Sequence, residues 1–119
     1  MLDVTVVRSK RYRGIDKGSR LLRSDGTRCC LGFAELAAGT LEENILGIGI
    51  PANVRYGSNL TMLFEKSIQP FDPIDWVLQN DICYGLIRAN DSEEINDQER
   101  ETIITDLGAS VGIRFNFID

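Results

Sequence analysis

The chain has 119 residues, 43% of them hydrophobic and 26% charged, with a net charge of −5. That length suits one domain, and the balance excludes disordered, collagenous and membrane-embedded classes; the acidity argues against a bulk binder of duplex nucleic acid. There is no histidine, which removes imidazole general bases, Ser/His and Cys/His nucleophile pairs and His-containing zinc sites together.

Alternation through 2–6, with β-branched Val4, Thr5 and Val6, predicts a strand. The short apolar stretch precedes the basic residues, the reverse of a secretory signal, and no run approaches the about 18 apolar residues of a membrane span. The expectation is a soluble chain, unprocessed as written, with no membrane partner. Residues 9–19 lack a hydrophobic period and contain Gly14 and Gly18, which predicts a loop. Asp25-Gly26, between two short runs, predicts a tight type I′ hairpin. Phe33, Ala34, Leu36 and Ala37 predict a helix over 31–38, stopped by Gly39.

Thr40 and Glu43 stand three apart like a capping box, predicting a short helix through Leu46 that closes at Gly47. Pro51 suits the first turn of another, ending near Gly57. Apolar spacing over 59–66 fits a strand and a helix equally, and Pro70 and Pro73 make 69–73 a loop. Apolar positions from Trp76 to Ile87 predict a helix in two pieces over 74–89. Asn96, with Glu99 three residues on, opens a further helix with Ile103, Ile104 and Leu107 on its apolar face and Gly108 at its end. Ile113, Phe115 and Phe117 predict a closing strand over 112–117. The expected fold is α+β, a single globular domain over 1–119. Its small antiparallel sheet includes both terminal strands, each with one wet face, and packs against several short helices.

Cys29, Cys30 and Cys83 are an odd number of thiols, which favours a reducing compartment. Adjacent cysteines make a strained disulfide, no CxxC spacing offers a metal site, and no orienting base stands nearby. The three read as small buried apolar residues.

Charge is segregated. Residues 8–28 carry eight bases against two acids, and residues 91–119 carry eight acids against two bases. The two ends can fold together and neutralise one another, in surface pairs of about 0–1 kcal/mol each. Alternatively each faces a partner. The basic segment 10–28, with Arg11, Arg13, Lys17, Arg20 and Arg28, has the chemistry to hold phosphate, because Arg binds it bidentately and glycines admit backbone N–H groups. Gly14–Ser19 fails the GxxxxGK[ST] pattern, so no Walker loop is assigned and no cofactor is expected. Tyr12, between Arg11 and Arg13, has a face on which a base can stack. On the acidic side, Glu93, Glu94, Asp97 and Glu101 suit a basic partner surface.

The string LLRSDGTRCCLGFAELAAG over 21–39, together with LIRAND over 86–91, resembles a group of small phage and prophage proteins. These carry a CCLG helix and an L-x-x-x-N-D stretch. The resemblance implies a phage accessory protein acting in the cytoplasm of a bacterial host, and it supplies no catalytic residues. Three functions follow as expectations. The first is a non-catalytic inhibitor of a host defence or metabolic protein, docking through the acidic residues. The second is a protein that sequesters a small nucleotide-like ligand on the basic segment. The third, an enzyme using Cys or a carboxylate, lacks a histidine to activate it. A free sheet edge would also allow a homodimer.

Overall fold

The computed structural model describes residues 1–12, 20–54, 57–60 and 73–119, with backbone alone at 52 and 73–81. Its elements are β1 (Leu2–Val7), a 3-10 turn (Arg8–Lys10), α1 (Cys30–Ala37), α2 (Glu42–Ile45), a second 3-10 turn (Pro51–Asn53), α3 (Pro73–Asp91), α4 (Asp97–Ser110) and β2 (Ile113–Ile118). Two expectations fall outside the described residues: the loop over 13–19, with Arg13 and Lys17, and the ambiguous stretch with the proline loop over 61–72.

Both terminal strands do pair as neighbours, with Val4 opposite Phe115, but the pair is parallel. This corrects the antiparallel sheet. Alternation says which face of a strand is wet; it says nothing of direction. Direction follows from the connection. The chain between β1 and β2 carries every helix named above, and a crossover of that kind returns the second strand parallel to the first. Val4, Val6, Ile113 and Phe115 point into the core, while Thr5, Arg114 and Asn116 stay exposed. Each such buried side chain contributes about 1.5–3 kcal/mol.

Helix α1 is the centre of the molecule. Cys30 through Glu35 are all buried, so the helix has no wet face over six successive residues. That burial requires the neighbouring chain to come very close. A Cβ on Gly32 would lie 1.7 Å from the Leu21 carbonyl oxygen. Glycine is what admits the 20–22 segment to the helix surface.

The Asp25-Gly26 turn forms, with a different surround. The Gly26 amide donates to Arg23 O at 3.0 Å, and the Arg23 amide donates to Thr27 O at 2.8 Å. Gly26 has φ +87°, and Asp25 Oδ1 accepts from both the amide and the hydroxyl of Thr27. The flanks meet through the Arg23–Thr27 bond and through Cys29 N donating to Arg20 O at 3.1 Å, and each also pairs outward: Leu22 bridges to Leu46 and Arg28 to Arg11, both parallel. The turn therefore projects from a seam that joins three separate parts of the chain.

Three helix expectations are also corrected. Helix α3 is one piece of 19 residues. Gly85 lies inside it, where a Cβ would sit 3.2 Å from Leu107 of α4, so the glycine serves helix–helix approach. Helix α4 runs past Gly108 to Ser110. A Cβ at 108 would meet the Phe115 ring at 2.6 Å, so this glycine lets β2 pack against α4 and does not stop the helix. Ile103 is 39% exposed, leaving Ile104 as the buried isoleucine. The Asn96 cap forms as expected, its Oδ1 accepting from the Glu99 amide at 2.8 Å and its Nδ2 donating to Glu99 Oε1 at 2.7 Å.

Thr40 does not cap α2, whose N-cap is Leu41. Its hydroxyl donates instead to Glu35 Oε1 at 2.9 Å. Among the described residues no helix is long and apolar enough to cross a membrane.

Candidate functional site

The charge segregation is largely a folding device. Arg8 donates two bonds to Glu101, both 2.8 Å, and one to Asp119 at 2.8 Å. The Arg8 hydrogen bond holds the Glu101 carboxyl below its usual range. Arg114 meets Asp3 across the strands at 3.3 Å. Arg11 has only 4% of its side chain exposed and lies 3.7 Å from Asp97. So Arg11, Asp97 and Glu101, three of the expected binding residues, are committed within the chain.

Arg11 also donates to the Asn90 carbonyl at 3.2 Å and to Asn90 Oδ1 at 3.3 Å. Asn90 is fully buried. Its Oδ1 accepts from the Cys30 amide at 3.2 Å, and its Nδ2 donates to Tyr12 O at 2.7 Å and Asp91 Oδ1 at 3.0 Å. The CCLG and LIRAND strings thus meet here. The N-cap residue of α1, Cys29, offers no side-chain acceptor bond, and Asn90 from α3 supplies one to the first turn. Arg100, 3% exposed, performs the matching task at the end of α3. It donates to Ala89 O at 3.1 Å, Ile95 O at 3.2 Å and Ser92 O, and pairs with Asp97 at 2.5 Å.

Two further polar groups are inside. Glu35 is fully buried and accepts from Thr40, from Ser58 Oγ at 2.5 Å and from the Leu60 amide at 3.2 Å. Burial raises its pKa, and these donors partly oppose the rise. The folded value thus exceeds the unfolded one. This group's contribution to stability is complete below the unfolded pKa and is lost as pH rises through the folded one. Glu35→Gln keeps the shape without the charge. Urea midpoints of the variant should therefore gain on those of the parent chain as pH rises from the ordinary glutamate range, about 4–5, towards neutrality. Parallel pH curves would contradict this.

Cys29 and Cys30 are buried and free, and Cys83 is half-buried. Burial pushes Cys29 and Cys83 up to about 11 and raises Cys30 as well. Buried protonated thiols are poor nucleophiles. Among the described residues no group of three or more Cys, Asp or Glu could hold a metal ion.

What remains is an arginine-lined concavity around the Ser24 turn. The turn is pinned on one side by Leu21 N to Ile48 O and Gly47 N to Leu22 O, both 2.8 Å. On the other side, Tyr12 N donates to Arg28 O at 2.8 Å and Arg28 N to Lys10 O at 2.9 Å. Two adjoining clefts open there, sharing Arg23, Ser24 and Leu46. One, about 300 Å³, adds Arg20 and Gly47. The other, about 360 Å³, adds Leu22, Gly26, Arg28, Glu42 and Glu43. The Arg23 guanidinium stacks 3.8 Å above the Tyr12 ring, and its Nε is buried without a hydrogen-bond partner. The Arg28 guanidinium lies 5.0 Å over Phe33 and, among the described residues, donates to Gly26 O alone, at 3.2 and 3.3 Å.

The sequence-derived phosphate set therefore divides. Arg20 and Arg28 reach the concavity, Arg11 does not, and Arg13 and Lys17 lie outside the described residues. Arg23 was missed. Its signal was its place immediately before the Ser-Asp-Gly turn, which sends the side chain back over Tyr12, so that Arg23 covers the ring face expected for a base. Of the acidic set, Glu93 and Glu94 are exposed between α3 and α4. A groove of about 510 Å³ also runs between α4 and β2, but its cation, Arg8, is the one held by Glu101 and Asp119. No protein-family model matches the chain, and neither curated proteins nor solved structures yield a match.

Proposed function

We propose that this chain is a small, non-catalytic binding protein that takes a phosphate-bearing ligand in the Arg20–Arg23–Arg28 concavity. The observation that carries the reading is Arg23. It lines both clefts, and its plane is fixed by Tyr12. Arginine's planar fork suits phosphate oxygens. The resemblance to phage and prophage proteins gives the reading its setting, with a host nucleotide held and not converted.

Calorimetry with pyrophosphate and with mono-, di- and cyclic nucleotides tests it. Binding at a Kd of about 100 μM or tighter is expected, weakened about 10-fold or more by Arg23→Gln in protein of unchanged fold. No heat with any of these at that concentration would contradict it.

A second reading, docking of a host protein on an acidic face, rests on Glu93 and Glu94, which are exposed and have no ion pair among the described residues. Reversing both to Lys should abolish capture of a host protein on the immobilised chain. Unchanged capture by the variant would remove this reading.

A further inference from the structure

Among the described residues, β2 has a strand neighbour, β1, on one side only. The register says which backbone groups face the other side. The Leu2 amide donates to Gly112 O at 2.8 Å, and Leu2 stands opposite Ile113. In a parallel ladder that pattern turns the N–H and C=O groups of Arg114, Asn116 and Ile118 towards β1. Those of Ile113, Phe115 and Phe117 point away from it. No backbone hydrogen bond among the described residues reaches Phe115 or Phe117 from that side.

Helix α4 runs beside this edge. The two elements touch at Gly108, where a Cβ would lie 2.6 Å from the Phe115 ring and 3.2 Å from Ile113 O. Beyond that contact lies the groove of about 510 Å³, with Thr102, Thr105 and Asp106 on the helix side and 115–117 on the strand side. Thr102, Thr105, Asp106 and Asn116 are all exposed, so the groove opens to solvent. Arg8 also lines it, clamped by Glu101 and Asp119. A sheet edge is where an extended peptide can add as a further strand, through main-chain hydrogen bonds. Strand β2 has no proline and no lysine, and its register runs without a bulge, so the usual guards of an edge are missing.

Charge selects the occupant. The described helix lining carries Glu101 and Asp106 and no Lys or Arg. Arg8 answers Glu101, while Asp106 has no ion pair among the described residues. A second copy of the chain, added β2 to β2 about a two-fold axis, would set one such flank against another and bring neither a cation. We infer that the β2 edge takes an extended basic segment of another protein as a third strand. Its backbone pairs with Phe115 and Phe117, and a Lys or Arg on its helix-facing side meets Asp106. The groove shares no described lining residue with the Arg23 concavity, so this inference stands apart from the anion-binding reading.

The test follows amide exchange and ¹⁵N shifts of the whole chain with about 1 mM of a capped octapeptide of alternating lysine and valine. Saturable binding is expected, with slowed exchange at Phe115 and Phe117. A counterpart with glutamate for lysine should bind about tenfold more weakly or worse. Asp106→Lys, at an exposed position, should erase or reverse that preference. An added strand turns only every second residue towards its neighbour. Methylating one alternate set of peptide nitrogens should therefore abolish binding, and methylating the other should spare it. No slowing at Phe115 and Phe117, equal tolerance of both methylated sets, or a lysine preference that survives Asp106→Lys overturns the inference. Shifts confined to Glu93 and Glu94 overturn it too, as general attraction to acidic surface. If those amides are already slow without peptide and sedimentation shows a dimer, the occupant is a second copy and the basic segment is ruled out.

Discussion

Gly32→Ala is expected to destabilise the chain by at least about 3 kcal/mol, in the rare severe class of single substitutions. The added methyl would stand 1.7 Å from the Leu21 carbonyl oxygen and 2.7 Å from its carbon. Neither atom is the mobile end of a side chain. Leu21 is held by its amide bond to Ile48 O, by the neighbouring Gly47 bond to Leu22 O, and by its own fully buried side chain. Relief would require α1 to move away from the 20–22 segment, opening the core around Leu31 and Ala34. A domain of this size has only about 5–15 kcal/mol in total. Urea unfolding should show a large loss of midpoint, or no cooperative transition at all. A Gly85→Ala control, at 3.2 Å from a flexible leucine methyl, should be much milder. Equal effects of the two would contradict the packing described.

Asn90→Ala should cost about 2–4 kcal/mol, because it orphans a buried and a part-buried backbone group at once. The Cys30 amide loses its acceptor, and Tyr12 O loses its 2.7 Å donor. Arg11 keeps the Asn90 carbonyl but loses Oδ1. The effect is predicted to fall on the junction of α1, α3 and the 10–12 segment. Hydrogen exchange should show lost protection at Tyr12, Cys30 and Leu31 before the β1–β2 ladder opens. Asn90→Asp restores only the acceptor and should recover part of the loss. A change under about 0.5 kcal/mol, typical of a surface position, would show that the junction does not matter.

These two residues show what was legible in the sequence. Gly32 is legible as a place where another backbone approaches, because a glycine inside an apolar helix has few other uses. Which backbone arrives there is a long-range fact that no local pattern carries. Asn90 has the chemistry of a turn or cap residue, and it is a cap, but for α1, sixty positions earlier in the chain. The terminal strands were legible from period two, and their parallel direction was not. The Asn96 cap was legible because both of its partners lie within one helical turn.

The candidate site was half legible. Arg20 and Arg28 stood out by composition, while Arg23 and the opposing Glu42 and Glu43 did not. Surface carboxylates on a short helix are ordinary in sequence. They acquire meaning only when the Leu22–Leu46 bridge brings α2 beside the turn. Conversely, the acid-rich C-terminal segment looked like a docking face. Its Asp97 and Glu101 answer Arg11, Arg100 and Arg8, which come from remote positions or from the next helical turn.

The central claim is that an anion settles beside Arg23. Amide chemical shifts of the ¹⁵N-labelled chain, followed during titration with pyrophosphate, test it most directly. The account predicts saturable shifts at Arg23, Ser24, Gly26, Leu46 and Gly47, absent in Arg23→Gln. No shifts, or shifts confined to exposed cations such as Arg114 on the outer face of the sheet, would contradict it.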